Sequence, residues 1–209
     1  LLAALEAEEL PLQMIGDDHR QRLLSHASDE VKTAASNLFG HPTSAAEKQV
    51  VLQNYLAGAT DSGDPQQGAD IFQKQCAACH RFNDIGFAIG PDIAGLKDRS
   101  PGTLLKAILD PNLAVEDKYQ GHNVLTLDGV VMTGVISNES STAIELQLQE
   151  GKRQSILRDD IEWIRNTGIS LMPEGFEKSI PPPEMNHLLA FLRAADLTPH
   201  PTLAPTPLP

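Results

Sequence analysis

Aromatic side chains are scarce in this chain: one tryptophan, two tyrosines and six phenylalanines among 209 residues. Hydrophobic residues reach only 41%, so core material is modest, and the length suits one large domain or two small ones. Cysteine is scarcer still, with two residues. Two thiols exclude a disulfide framework and a four-cysteine zinc site, and no HxxxH pair stands elsewhere to complete a mixed one. No run of about 18 apolar residues is present, so nothing reads as a membrane span. Positive charge is short as well: 16 lysines and arginines face 28 acidic residues, a formal charge of −12. The deficit is spread, with −4 over residues 1–60, −3 over 61–120 and −5 over 121–209. It argues against nucleic acid and anionic membrane surfaces as partners and favours a basic protein. Residue 1 is leucine with no signal peptide before it, and the opening residues read like the interior of a longer protein.

Both cysteines stand in one motif, Cys76-Ala77-Ala78-Cys79-His80. Two cysteines three apart with histidine next is the attachment pattern of a c-type haem. Each thiol can add across one haem vinyl group, and the adjacent imidazole then lies under the iron as proximal ligand. If the motif is helical, residues three apart share a face and both thiols can point at one porphyrin edge. The competing readings are a thiol redox couple, half a zinc site, or a chance histidine after two cysteines. Zinc fails on the cysteine count. A redox pair ordinarily follows a strand in a βαβ pattern, which is absent here. A covalent haem would also supply the apolar bulk that the chain lacks.

Residues 1–60 read as helices. Val31, Ala34, Ala35, Leu38 and Phe39 recur at helical spacing, and Gly40-His41-Pro42 is a stop. A further helix spans about Ser44 to Leu56, and the breakers from Gly58 to Pro65 suggest a domain boundary. Two short helices with an aliphatic seam look like the last unit of a HEAT-type array. From Pro65 a helix begins with proline in its first turn, carrying Gly68, Phe72 and Cys76 on one face. A glycine-rich loop follows, then a helix over Pro101–Leu109 and a turn at Asp110-Pro111-Asn112. Residues 121–165 change to a period of two. Asp128-Gly129 between apolar runs signals a hairpin, and about five strands are expected, barrel-like if they close. Val124, Val130, Met132, Ile144, Leu146 and Leu148 mark its buried face. A loop over Asn166–Lys178 leads to a last helix after Pro181, with Met185, Leu188, Leu189, Phe191 and Leu192 apolar. The tail at 199–209 is proline-rich, lacks core material and reads as extended or disordered.

In combination these motifs resemble a class I cytochrome c. The order is Gly68, Phe72, the CxxCH motif, Ile89-Gly90-Pro91, Ser170-Leu171-Met172-Pro173, and a terminal helix. The Asp110-Pro111-Asn112 turn, Tyr119, Asp128-Gly129 with Gly134, and Ser170 to Gly175 make it similar to haem domains of planctomycete and verrucomicrobial proteins. The resemblance implies a mainly α fold with an inserted small antiparallel sheet or barrel. The expected parts are a helical HEAT-like segment (1–60), the cytochrome domain (61–120 and 166–198), the β insert (121–165) and the tail (199–209). It implies one covalent haem c with its iron, His80 as proximal ligand, and the Pro91 carbonyl fixing the other ring nitrogen. It also implies that Gly68 and Phe72 meet the last helix, that Met172 is the distal ligand, and that the protein is periplasmic or exported.

Read from the residues alone, a loop methionine such as Met172 is more often hydrophobic filler, and His122 and His187 are its rivals. Tyr119, Trp163 and Arg99 are candidates for the haem propionates, or plain structural residues. The leading expectation is single-electron transfer with a redox partner, or with a fused dehydrogenase or propeller domain, rather than catalysis. The alternatives are a haem-based sensor or peroxidase-like enzyme with an open distal position, and a haem-free interaction module.

Overall fold

The computed structural model describes residues 2–7, 15, 17–39, 44–60 and 62–194. The expected stop at Gly40-His41-Pro42 and the proline-rich tail at 199–209 lie outside these residues. Among the described residues seven helices accompany a five-stranded sheet, so the fold is mixed rather than mainly α.

Three helices open the chain: α1 (Leu2–Glu6), α2 (Asp17–Leu24) and α3 (Asp29–Phe39). Both α1 and α2 pack on α3, with Leu5 and Ala35 buried. Helix α4 (Ala45–Gly58) starts on a capping box in which the Ser44 hydroxyl accepts the Glu47 amide and Glu47 accepts the Ser44 amide, a device that satisfies two otherwise orphaned donors.

The main core joins α4 to α5 (Pro65–Gln75), α6 (Pro101–Leu109) and α7 (Pro182–Arg193). Leu52 and Tyr55 of α4 belong to the same buried cluster as Phe72, Leu105 and Leu188. The breakers at 58–65 therefore turn the chain without ending the core, and the expected boundary at residue 60 falls inside it. Tyr55 shows why: its hydroxyl donates to the carbonyls of Ile180 (2.9 Å) and Glu177 (3.2 Å), which ties α4 to the start of α7.

Helices α5 and α7 cross at Gly68. A Cβ there would lie 2.0 Å from the His187 carbonyl oxygen and 2.7 Å from the Phe191 Cβ, so only glycine permits this approach. Phe72, Phe82 and Phe191 form a cluster beside the crossing, with ring centroids 5.2–6.4 Å apart. Edge-to-face pairs of this kind add to area burial, so a third of the chain's few aromatics is spent at one place.

Two short strands, β1 (Arg81–Phe82) and β2 (Ile85–Gly86), make a hairpin that the sequence reading missed. Its turn residues Asn83 and Asp84 both have positive φ (49° and 62°), the left-handed pair that a tight hairpin turn requires.

The second layer is an open antiparallel sheet in the order β6-β5-β4-β3-β7. Its strands are β3 (Gln120–Thr126), β4 (Val131–Glu139), β5 (Ala143–Gln147), β6 (Arg153–Leu157) and β7 (Ile161–Ser170). The two edge strands do not pair, so the barrel expected on closure does not form among the described residues. Strand β7 runs to Ser170 and pairs with β3 from Ser170↔Gln120 to Ile161↔Thr126. The insert thus extends five residues past its expected end at 165. Val124, Ile144, Leu146 and Ile156 form its own small core, with Met132 and Leu148 packed against it. Val130 departs from expectation, 48% exposed. The β3–β4 loop has three residues closed by the Thr126–Val130 pair, with Gly129 at φ 86°, which leaves Val130 at the outer end of the ladder.

Candidate functional site

Helix α5 delivers the motif. Asp64 caps it by accepting the Gln66 amide at 2.9 Å, and Pro65 fills its first position. The helix ends at Gln75, so the motif is not helical as expected but forms one further hydrogen-bonded turn. The Cys76 and Ala77 amides both donate to the Phe72 carbonyl, and the Cys79 and His80 amides both donate to that of Cys76. This turn keeps the two thiols on one side. Each is free and partly buried.

The chain then folds back over its own motif. The Phe87 amide donates to Ala77, and the Ile89 and Gly90 amides donate to Cys79. Gly86, at φ 86°, permits the reversal, since a Cβ there would sit 2.2 Å from the His80 carbonyl oxygen. The return brings Gly90 flat against the His80 ring: a Cβ on Gly90 would lie 2.4 Å from Cε1. It also sets the Pro91 carbonyl 3.3 Å from His80 Nδ1, the partner expected from the resemblance. That bond occupies Nδ1 and leaves Nε2 for a ligand role, the usual way in which an outer partner orients a metal-binding imidazole.

A cavity of about 390 Å³ opens beside the motif. Cys76, Cys79, His80, Pro91 and Met172 all line it, with Phe72, Ile89, Leu104 and Leu192 among its apolar neighbours. The five site residues proposed from the sequence therefore face one space, although Met172 lies 92 positions after His80. Met172 leaves the end of β7, its amide donating to the Ser170 hydroxyl at 3.0 Å, and packs against the main core.

Electrostatics suit an apolar prosthetic group. Burial, with the Cys79 thiol adding to it, pushes the Cys76 thiol up to about 12, and burial raises Cys79 too. Neutral buried thiols make a poor redox couple. Burial also lowers the His80 imidazole below its ordinary value, against the opposing Pro91 hydrogen bond, so the ring is neutral and able to ligate.

Other candidates lie elsewhere. The Nδ1 of His187 accepts the Asp64 amide at 2.8 Å, locking α7 to the cap of α5. His122 Nδ1 pairs with the Gln120 carbonyl at 3.0 Å. Neither histidine lines the cavity. Of the residues considered for the propionates, Tyr119 lines it. Arg99 instead donates to the Leu192 carbonyl and lies over the Phe82 ring, and Trp163 stacks with Arg165 on β7.

Residues 65–124 match the cytochrome c family model. They are a cytochrome c domain. The cofactor of that family is covalent haem c with its iron, and the donor set fits it: two thiols, an oriented imidazole and an apolar cavity. The match begins at the first residue of α5 and ends within β3, so Met172 lies outside it. No curated protein matched the chain.

Proposed function

We propose that the chain is a one-electron carrier whose haem iron is held between the His80 imidazole and the Met172 thioether. The observation that carries this reading is the single cavity lined by both motif thiols, His80, Pro91 and Met172. Haem c supplies the reversible one-electron couple. The protein attaches it through Cys76 and Cys79, orients the proximal ring through Pro91 and Gly90, and surrounds it with apolar side chains that keep water away. Histidine–methionine ligation raises the potential and leaves no open coordination position for bond chemistry.

The cytochrome unit extends beyond residues 65–124, in this reading, to α4, the Met172 loop and α7, because their side chains share one core. The Asp110-Pro111-Asn112 turn, Tyr119 at the cavity wall and the Ser170 to Gly175 loop support the planctomycete and verrucomicrobial type. Helices α1–α3 are read as a HEAT-like segment of a longer protein. The redox partner is a docking protein, or a fused dehydrogenase or propeller domain. Thioether attachment is completed outside the bacterial cytoplasm, so the location is periplasmic or cell-surface. None of the described helices is long and apolar enough to cross a membrane.

Intact mass after maturation with haem tests attachment, and the visible and near-infrared spectrum of the oxidised protein tests ligation. The expected results are a gain of one haem and a sulfur-to-iron charge-transfer band. A bare polypeptide mass would overturn the assignment.

A further inference from the structure

The loop carrying Met172 leaves β7 at Ser170 and ends at Gly175, whose φ of 94° closes it. Asn112, in the turn after α6, holds this loop on both sides of the methionine. Its Oδ1 accepts the Ser170 amide at 2.9 Å, and its Nδ2 donates to Glu174 at 2.8 Å. One partner is a donor and the other a carboxylate, so the amide can face only this way. Lys48, on α4, donates to the same Glu174 oxygen at 2.7 Å and to Asp110 at 2.7 Å. The three charged side chains are only 21–38% exposed, less than ordinary surface pairs, so solvent screens them less. Neither Lys48, Asn112 nor Glu174 lines the cavity. Lys48 also lies outside the stretch that matches cytochrome c.

We propose that Asn112 and Lys48 are positioning residues for the distal ligand, clamping the Met172 loop from α6 and α4 so that the thioether stays on the iron. The proposal rests on the reading that Met172 ligates. The clamp places a helix from outside the matched domain in control of the haem's sixth position.

The test uses the whole haem-loaded chain carrying Asn112→Ala, Lys48→Met or Lys48→Arg, each with and without Met172→Ala. The charge-transfer band, the reduction potential and the rate of carbon monoxide binding to the reduced form are measured. Asn112→Ala and Lys48→Met should weaken the band, lower the potential and speed carbon monoxide binding about tenfold, as expected for losing hydrogen bonds to a charged group. Lys48→Arg should restore most of the wild-type behaviour. In the Met172→Ala background Asn112→Ala should change the rate by less than about twofold, because a residue acting through Met172 has nothing left to act on. Unchanged spectra and rates in the single variants, or an equal acceleration without Met172, would overturn the proposal. Should the wild type itself lack the band, the ligation reading fails, and amide exchange over residues 170–175 decides the clamp: unaltered protection in the variants refutes it. Asn112→Asp, which keeps the acceptor for Ser170 but sets a carboxylate against Glu174, replaces Asn112→Ala if that variant does not fold.

Discussion

The Glu150 amide donates to the Ala78 carbonyl at 2.9 Å, so the turn between β5 and β6 rests on the residues that separate the two cysteines. Gln147 adds a bond from its side chain to the Ala88 carbonyl at 2.9 Å, and Gly151 packs on the Phe87 ring. At the other end of the sheet Gly121 makes room for Leu171, since a Cβ there would lie 2.7 Å from Leu171 Cδ2. The insert therefore touches both the attachment motif and the Met172 loop.

Gln120 and Ser170 are paired neighbours, so a linker of about four Gly/Ser residues can replace everything between them, a span typical of hairpin loops. Haem attachment should survive. Distal ligation should loosen, seen as a weaker charge-transfer band and faster carbon monoxide binding. Unchanged spectra and rates would make the insert a separate docking module.

Met172→Ala should abolish the charge-transfer band, lower the reduction potential and open the reduced iron to carbon monoxide. Titration of the potential and flash photolysis would measure this. An unaltered spectrum transfers the distal role to another group.

Gly90→Ala forces a methyl group to within 2.4 Å of the His80 ring. The ring must turn, and its bond to the Pro91 carbonyl should break. Covalent haem should remain by mass, while the proximal histidine signals in a paramagnetic NMR spectrum shift and the potential moves. Identical spectra would show that the loop, rather than the ring, yields.

Two glycines in helices should respond with opposite sign. At Gly68 an added methyl meets backbone at 2.0 Å, and separating α5 from α7 should cost about 3 kcal/mol or more. At Gly102, in the first turn of α6, the nearest atom is Leu56 Cδ2 at 3.8 Å, and alanine should stabilise by about 0.4–1 kcal/mol through the unfolded chain. Thermal unfolding of both variants decides it; equal shifts would refute the crossing argument.

Burial, helped by the nearby Glu177 charge, raises the Tyr55 phenol above its ordinary value of 10.0. A group with a raised folded pKa contributes its full stability below the unfolded value and loses it as pH climbs through the folded one. Stability should therefore fall above about pH 10, the ordinary phenol value. Tyr55→Phe should cost about 1 kcal/mol at pH 7, from losing the one hydroxyl proton that the Ile180 and Glu177 carbonyls share, and should flatten the alkaline decline. A decline of the same steepness in Tyr55→Phe would assign it to another group.

The motif Cys76 to His80, the proline that starts α5, α6 over Pro101–Leu109, and the alternation that marks the strands of the insert were all legible in the sequence. Each depends on residues within a few positions of one another, where backbone geometry and periodicity act directly. The β1–β2 hairpin was missed: Asn83-Asp84 between Phe82 and Ile85 is turn chemistry, but strands of only two residues each leave no alternation to read. Tertiary structure alone decided that α4 joins the haem-side core through Tyr55, 125 residues before Ile180. It also decided that β7 extends to Ser170 and that Asn112 reaches Ser170 across 58 residues. An asparagine after a helix, or a lysine on α4, carries no local sign of its partner. Its role exists only once packing of the apolar faces has brought the distant backbone group within hydrogen-bonding distance.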